Sequence, residues 1–208
     1  LAPQLNMEET AIEQVKNLGF KASDVKHIVP THLDLDHAGG LSDFPQAQVH
    51  VFEREHDAAM SRATLVERER YVPAQWAHGP KWTRHAVQGD QWMGFEAMQA
   101  LPGTDDEVLL VPLTGHTRGH CGIAVRGDNG WLLHCGDAYF HHNEMNPDPS
   151  CPIGLSIFQK LLAMDGTQRV ANQQRLRDLK REHGSEVTLF CAHDPVELTQ
   201  LHHARATP

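Results

Sequence analysis

The chain has 208 residues, of which 40% are hydrophobic and 22% charged, a composition typical of one globular domain. Its net charge of −9 argues against a nucleic-acid partner, and no apolar run approaches the roughly 20 residues of a membrane span. The four cysteines lack CxxC spacing, which favours reduced thiols and predicts a cytoplasmic protein. We therefore expect a small-molecule partner.

The N-terminal part of the chain is predicted to alternate between helix and strand. Asn6 and Glu9 resemble a capping box, and the apolar residues that follow recur at helical spacing as far as Gly19. Further along, short β-branched runs indicate strands, and a charged amphipathic stretch indicates a helix. The predicted elements are a helix over 12–18, strands over 25–30 and 49–52, and a helix over 53–70.

An irregular segment is predicted over 71–107, which is rich in Trp, Gly, Pro and His and shows no clean period. We interpret it as a cap or long loop, a kind of segment that is usually functional in a compact domain. The elements predicted beyond it are a strand over 108–112, a hairpin with strands over 121–125 and 131–134, a proline-rich linker or lid over 146–154, a helix over 167–183 and a strand over 187–191.

Histidine and aspartate residues follow four of the predicted strands. Imidazole and carboxylate groups together are typical ligands of divalent metals, whereas buried carboxylates without partners would be costly. Because each group follows a strand end, we expect them to meet at one edge of the fold. The candidate metal ligands are His32, Asp34, Asp36, His37, His116, Asp137 and His193.

The order and spacing of these residues resemble the metallo-β-lactamase superfamily, in particular its lactonase and glyoxalase-like branch. The first motif of that family is HxHxDH, whereas this chain has a variant, HxDxDH, with Asp34 at the second histidine position. The resemblance implies an α+β fold, a four-layer αβ/βα sandwich, formed by a single domain over residues 1–208. The N-terminal strands of that fold are expected to precede Leu1. We therefore expect an exposed sheet edge here, or a partner such as the second subunit of a homodimer that covers it.

The same resemblance implies two metal sites and a hydrolytic reaction. Site one takes His32, Asp34 and His116, site two takes Asp36, His37 and His193, and Asp137 bridges them. A hydroxide bridging the two metals then cleaves a small ester, lactone or thioester, and Asp36 acts both as ligand and in orienting this nucleophile. In the lactonases a tyrosine three residues after the bridging aspartate assists the substrate carbonyl. That position is Phe140 here, so Tyr139 is the candidate for this catalytic role.

The aspartate at position 34 leaves the identity of the metal open. The family implies zinc, but a carboxylate in place of an imidazole favours harder ions such as iron or manganese. Its negative charge is also expected to make a bound water less acidic. Flavodiiron proteins, relatives in the superfamily, carry a carboxylate at this position and bind iron.

Two other functions remain open from the sequence. One is a mononuclear iron oxygenase similar to persulfide dioxygenases, which use two histidines and one aspartate, matching His32, His116 and Asp137. The other is a non-catalytic metal-binding scaffold whose altered site one no longer turns over substrate.

Overall fold

Two β-sheets form the centre of the computed structural model. The structure describes residues 5–86, 88, 91–95, 99–101, 103–104 and 107–206. The first sheet has three parallel strands in the order β1–β2–β3: β1 (His27–Ile28), β2 (Gln48–Phe52) and β3 (Lys81–His85). Strand β1 lies at the edge of this sheet and pairs with β2 alone among the described residues.

The second sheet has five strands in chain order. They are β4 (Gln99–Ala100), β5 (Val108–Pro112), β6 (Cys121–Gly127), β7 (Gly130–His134) and β8 (Val187–Phe190). Strands β4 to β7 pair antiparallel, whereas β8 pairs parallel to β7. The predicted hairpin of β6 and β7 is confirmed, since Gly127 pairs with Gly130 across a two-residue turn.

The described helices are α1 (Ala11–Asn17), α2 (Glu53–Ser61), α3 (Leu65–Arg70), α4 (Ile153–Leu162), α5 (Gly166–His183) and α6 (Pro195–Ala206). None of them combines the length and the hydropathy that crossing a membrane requires.

Alternation along the strands divides the core into three parts. Successive side chains of a strand point to opposite faces, so Val49 and Val51 of β2 pack on the side of α2, while Phe52 faces Leu110 of the second sheet. On the outer face of the second sheet, Leu109 packs in a cluster that includes apolar residues of α5. The layers therefore run helix, sheet, sheet, helix, which confirms the predicted α+β sandwich.

Three imidazoles form a hydrogen-bonded chain across the first sheet, one from each strand. His27 Nδ1 lies 2.9 Å from His50 Nε2, and His50 Nδ1 lies 3.0 Å from His85 Nε2. His50 and His85 are buried. Burial, together with the neighbouring His85 and His27, lowers the pKa of His50 to about 4, so its ring is neutral at pH 7.

Some predicted elements differ from those observed. The helix predicted over 53–70 is two helices, because Arg62 has a left-handed conformation (φ 46°) that ends α2. The irregular segment predicted over 71–107 contains two strands, β3 and β4. Residues 87, 89–90, 96–98, 102 and 105–106 of that segment lie outside the described part of the chain. Helix α4 begins inside the predicted linker over 146–154, with Pro152 as its N-cap.

Candidate metal centre

The loop after β1 carries four of the candidate ligands and is fixed by its own backbone. The amides of His37 and Ala38 both donate to the carbonyl of Asp34, at 2.9 and 3.0 Å. Leu33 and Ala38 are fully buried in the cluster under α2, which anchors the loop on the first sheet. The buried side chains of Leu33 and Ala38 therefore hold the candidate ligands of this loop in place.

The other three ligands follow strands of the second sheet, as predicted. His116 lies beyond β5, Asp137 beyond β7 and His193 beyond β8. Gly136, next to Asp137, has a φ of +52°, and a Cβ here would lie 2.6 Å from His120 Nε2. This position therefore requires glycine, because the backbone passes too close to its neighbour for a side chain.

Asp137 lies between two pairs of histidines, and each of its oxygens faces one pair. Its Oδ2 lies 3.8 Å from His32 Nε2 and 3.5 Å from His116 Nε2. Its Oδ1 lies 3.3 Å from both His37 Nε2 and His193 Nε2. The two oxygens thus separate the histidines into the same two sets that the family resemblance implies.

Each set contains a second carboxylate. Asp34 Oδ2 lies 3.1 Å from His116 Nε2 and 3.6 Å from His32 Nε2. Asp36 Oδ2 lies 3.8 Å from His37 Nε2 and 3.7 Å from His193 Nε2. The structure therefore brings all seven candidate ligands together.

The donor set fits divalent metal ions. Three buried atoms of the set have no hydrogen-bond partner: His32 Nε2, His37 Nε2 and Asp137 Oδ1. Buried polar atoms are rarely left unpaired, so these atoms indicate a site for a bound ion. The ligand atoms of His32, Asp34 and His116 lie within 4.8 Å of one another, and so do those of Asp36, His37 and His193. Imidazole nitrogens and carboxylate oxygens suit zinc, iron and manganese.

Protons and cations compete for this centre. Burial and the neighbouring His37 hold the pKa of His32 well below its usual value, which leaves its lone pair available. Burial raises the pKa of Asp137, but the adjacent imidazoles of His193 and His37 outweigh it and the pKa lies well below its usual range. The adjacent carboxylate of Asp137 raises the pKa of His193, so protons compete with a metal ion for this ring as the pH falls.

Comparison with known proteins identifies the family of this arrangement. The sequence profile described as the metallo-beta-lactamase superfamily matches residues 5–189. The chain belongs to the metallo-β-lactamase superfamily. A probable metallo-hydrolase of Mycobacterium tuberculosis is 43% identical over 201 residues, covering 97% of this chain and 64% of that protein. The N-acyl homoserine lactonase AttM of Rhizobium radiobacter is 28% identical over 207 residues, covering 93% of this chain and 67% of that protein.

The chain spans about two thirds of the length of these curated relatives. Among solved structures, an N-acyl homoserine lactone hydrolase with N-hexanoyl-L-homoserine bound at its catalytic metal centre has a TM-score of 0.70 at 20% identity, covering 95% of this chain and 67% of that chain. The dizinc quorum-quenching lactonase AidC has a TM-score of 0.62 at 18% identity, covering 93% of this chain and 65% of that chain. At these identities the likeness shows the metallo-β-lactamase fold.

Two neighbouring side chains, Thr31 and His120, orient candidate ligands of this centre. Thr31 Oγ1 lies 2.9 Å from His32 Nδ1, which turns the other ring nitrogen towards Asp137. His120 Nδ1 lies 2.9 Å from the carbonyl of Leu113, and its Nε2 accepts a hydrogen bond from the amide of Asp137 at 2.9 Å. This second bond requires a neutral ring, and burial lowers the pKa of His120 to about 3. His120 therefore supports the ligands and is not itself one of the seven.

Glu55 of α2 connects two of the ligand loops. Its Oε1 accepts hydrogen bonds from the amide of Leu33 at 2.9 Å and from Tyr71 Oη at 3.0 Å. Its Oε2 accepts from Thr117 Oγ1 at 2.6 Å and from the amide of Gly119 at 3.0 Å. This fully buried carboxylate therefore fixes the loop of His32 relative to the loop of His116.

The structure does not bring Tyr139 to the centre, which corrects the expectation of a catalytic role. Tyr139 is fully buried in the core, and its hydroxyl donates to the carboxylate of Glu197, whose oxygens lie at 3.0 and 3.1 Å. Phe140 faces the centre instead: its ring stacks on His193 with centroids 5.3 Å apart and lies 6.0 Å from that of His116. Consecutive residues point in different directions, so a shift of one position moves the side chain out of the site.

Sequence reasoning missed Glu55, Phe140 and Arg70, the last a buried side chain next to Asp34. A signal existed for Glu55, because Ala58 and Ala59 lie on the same helix face at spacings of three and four. A carboxylate on an otherwise apolar face indicates a buried role. No comparable pattern marks Arg70, which ends a short charged helix.

Proposed function

We propose that this chain is a metal-dependent hydrolase that uses two divalent ions to cleave a small ester, lactone or thioester. The observation that carries the proposal is the position of Asp137, whose two oxygens each face a different pair of histidines. A single carboxylate placed in this way supports two adjacent ions. The hydrolase and lactonase names of the relatives support the choice of reaction and substrate class.

The residues of the chain divide the work of this reaction. Divalent ions, when bound, acidify a water molecule and polarise a carbonyl oxygen. Asp36, whose side chain is 51% exposed, lies at the open side of the centre between His37 and His193. In our proposal its carboxylate accepts a proton from the attacking water while it holds site two.

Phenylalanine side chains form an apolar wall beside the centre. Phe140 stacks on His193, and Phe158 of α4 packs against Phe140 with ring centroids 5.9 Å apart. Such a wall excludes water from one side of a bound carbonyl and accommodates an apolar substituent. The hydroxyl that tyrosine supplies in the lactonases is absent at position 140. We therefore propose that polarisation of the carbonyl falls to the ions.

The test combines metal removal with a substrate panel. Protein stripped with a chelator is assayed on an aryl ester, an acyl homoserine lactone and an acyl thioester, before and after Zn²⁺, Mn²⁺ or Fe²⁺ is restored. We expect turnover to disappear and return, and His116→Ala to lose at least about 100-fold in kcat/KM. The control His78→Ala alters an exposed histidine and should match the parent. Full turnover by metal-free protein contradicts the proposal.

Elemental analysis of the purified protein separates the alternatives. Two ions per chain with hydrolysis support the proposal. One iron per chain with oxygen uptake on a persulfide supports the dioxygenase that His32, His116 and Asp137 also allow. Bound metal without turnover, together with activity gained in Asp34→His, supports the scaffold.

A further inference from the structure

Arg70 is a buried cation at the edge of site one. It ends α3, is 5% exposed, and has its Nε 3.4 Å from Asp34 Oδ1. Its Nη1 donates to the carbonyl of His116 at 2.8 Å, and its Nη2 donates to the carbonyl of Leu162 at 2.9 Å. A buried guanidinium beside a cation site is costly unless it is paired, because its positive charge repels the ion.

The two oxygens of Asp34 face different partners. Oδ2 faces the histidines of site one, at 3.1 Å from His116 Nε2, whereas Oδ1 faces Arg70. Both Asp34 Oδ1 and Arg70 Nε are buried without another hydrogen-bond partner. The guanidinium therefore fixes which oxygen of Asp34 is presented to the ion.

The charge of Arg70 also offsets that of Asp34. Asp34, Asp36 and Asp137 carry three negative charges around the centre, and Arg70 contributes one positive charge. The net charge of these groups equals that of a centre with a neutral histidine at position 34 and no arginine. The sequence-based expectation that Asp34 makes a bound water less acidic considered only the carboxylate. The positive charge of Arg70 offsets this effect.

The position of Arg70 is fixed by the contacts of its helix and by the hydrogen bonds of its own side chain. Helix α3 begins with a capping box in which Thr64 Oγ1 accepts from the Glu67 amide at 3.2 Å and Glu67 Oε2 accepts from the Thr64 amide at 2.8 Å. Arg118 Nε donates to Glu67 Oε1 at 2.6 Å, which joins α3 to the loop of His116. With both terminal nitrogens of Arg70 bound to carbonyls, its Nε is directed at Asp34.

We propose that Arg70 is a positioning residue of site one, which pairs with Asp34 so that the two side chains together replace the neutral histidine of the usual motif. This inference rests on the metal centre of the proposed function. The pair is a matched unit: histidine at position 34 leaves the arginine charge unbalanced, and loss of the arginine leaves the carboxylate unbalanced whenever no ion is bound.

The test is a double-mutant cycle read by metal binding. Asp34→His, Arg70→Met and the double variant are dialysed against buffered free Mn²⁺ or Zn²⁺, and bound metal per chain is measured. We expect Asp34→His to weaken binding of one of the two ions about tenfold. The double variant should return to within about threefold of the parent. A double variant that binds metal as weakly as Asp34→His alone, or more weakly, overturns the inference.

Thermal unfolding adds a readout that separates pairing from a purely structural role. In Arg70→Met, Asp34 is buried without a cation until metal binds, so the rise in Tm on adding Mn²⁺ should exceed that of the parent. Equal losses of Tm with and without Mn²⁺ indicate a structural role only and contradict the inference.

Arg70→Lys keeps the charge and provides a variant that tests the pairing if the others do not fold. It should bind Mn²⁺ within about threefold of the parent, because an ammonium retains the opposite charge beside Asp34. Weakening beyond about tenfold contradicts charge pairing. A parent protein that binds no metal refutes the proposed function itself. Two bound ions in the parent, together with a double variant that stays as weak as Asp34→His, refute the role of Arg70 alone.

Discussion

Glu55 is the buried carboxylate whose replacement tests how the two ligand loops are held together. Its oxygens accept four hydrogen bonds, from Leu33, Tyr71, Thr117 and Gly119. In Glu55→Gln one oxygen becomes an NH₂ group, which faces one backbone amide and one hydroxyl. The hydroxyl can turn and accept from the NH₂ group, but the backbone amide cannot, so the variant removes one of the four bonds and places two buried donors against each other without changing the shape of the side chain.

The expected cost follows from these contacts. The lost hydrogen bond to a charged group contributes about 1.5–3 kcal/mol, and leaving a buried donor without an acceptor costs about 1–3 kcal/mol more. Burial raises the pKa of Glu55, which shows that its charge is costly to bury, and the neutral amide regains part of the loss. We expect a net destabilisation of about 3 kcal/mol, or a fall in Tm of about 6–12 °C.

Urea denaturation of metal-free protein, followed by circular dichroism, measures this effect. Glu53→Gln is the matched control, since it makes the same chemical change at an exposed position of the same helix and should stay within about 0.5 kcal/mol of the parent. Glu55→Gln should also bind both ions more weakly than the parent, because the loop of His32 is no longer held at a fixed distance from the loop of His116. A Glu55→Gln protein within about 1 kcal/mol of the parent would refute this account of the loops.

Three further changes have defined outcomes. Gly119→Ala places a Cβ 2.2 Å from the backbone nitrogen of Glu55, so the soluble yield should fall and metal content per chain drop, whereas Gly154→Ala, which has open space, should match the parent. Tyr139→Phe should keep kcat/KM within about twofold, yet lose about 1–2 kcal/mol of stability in denaturation because the bond to Glu197 is lost; a large loss of kcat/KM would restore Tyr139 to the reaction. The pKa of His50 is about 4 in the folded protein, below the value of about 6.5 expected for an unfolded chain. Between these two values the unfolded state binds a proton on His50 and the folded state does not, so the free energy of unfolding falls as the pH falls. His50→Gln should reduce the slope of unfolding free energy against pH by up to about 1.4 kcal/mol per unit between pH 6 and 4.5, and an unchanged slope contradicts the assignment.

The ligand set could be predicted because its signal is local and topological. Each candidate ligand follows a strand, and strand ends at one edge of a fold converge, so the sequence predicted that these residues meet. Their division into site one and site two came from the resemblance to the metallo-β-lactamase superfamily. The strand β3 could not be predicted, because Lys81–His85 alternates weakly and its burial comes from pairing with β2. The start of helix α4 was not predicted, because the prolines that precede it indicated a linker.

The supporting residues show a different limit. Arg70 contacts Leu162, 92 positions along the chain, and such a contact leaves no local pattern. The choice of Tyr139 over Phe140 depended on the side-chain direction at a single turn, which residue identity does not determine. Sequence reasoning therefore brought the candidate ligands together and missed Glu55 and Arg70, which contact the ligand loops from distant positions in the chain.

In the proposed two-ion centre, the position of Asp137 makes the two sites one thermodynamic unit. An ion that binds on the Oδ2 side withdraws charge from the same carboxylate that the Oδ1 side uses, so the affinity of each site depends on the occupancy of the other. Reciprocity then requires the coupling to be equal in both directions. Changes at His32 or His193 alter one affinity directly and the second through Asp137, so single-site affinities have meaning here only at a stated occupancy of the partner site.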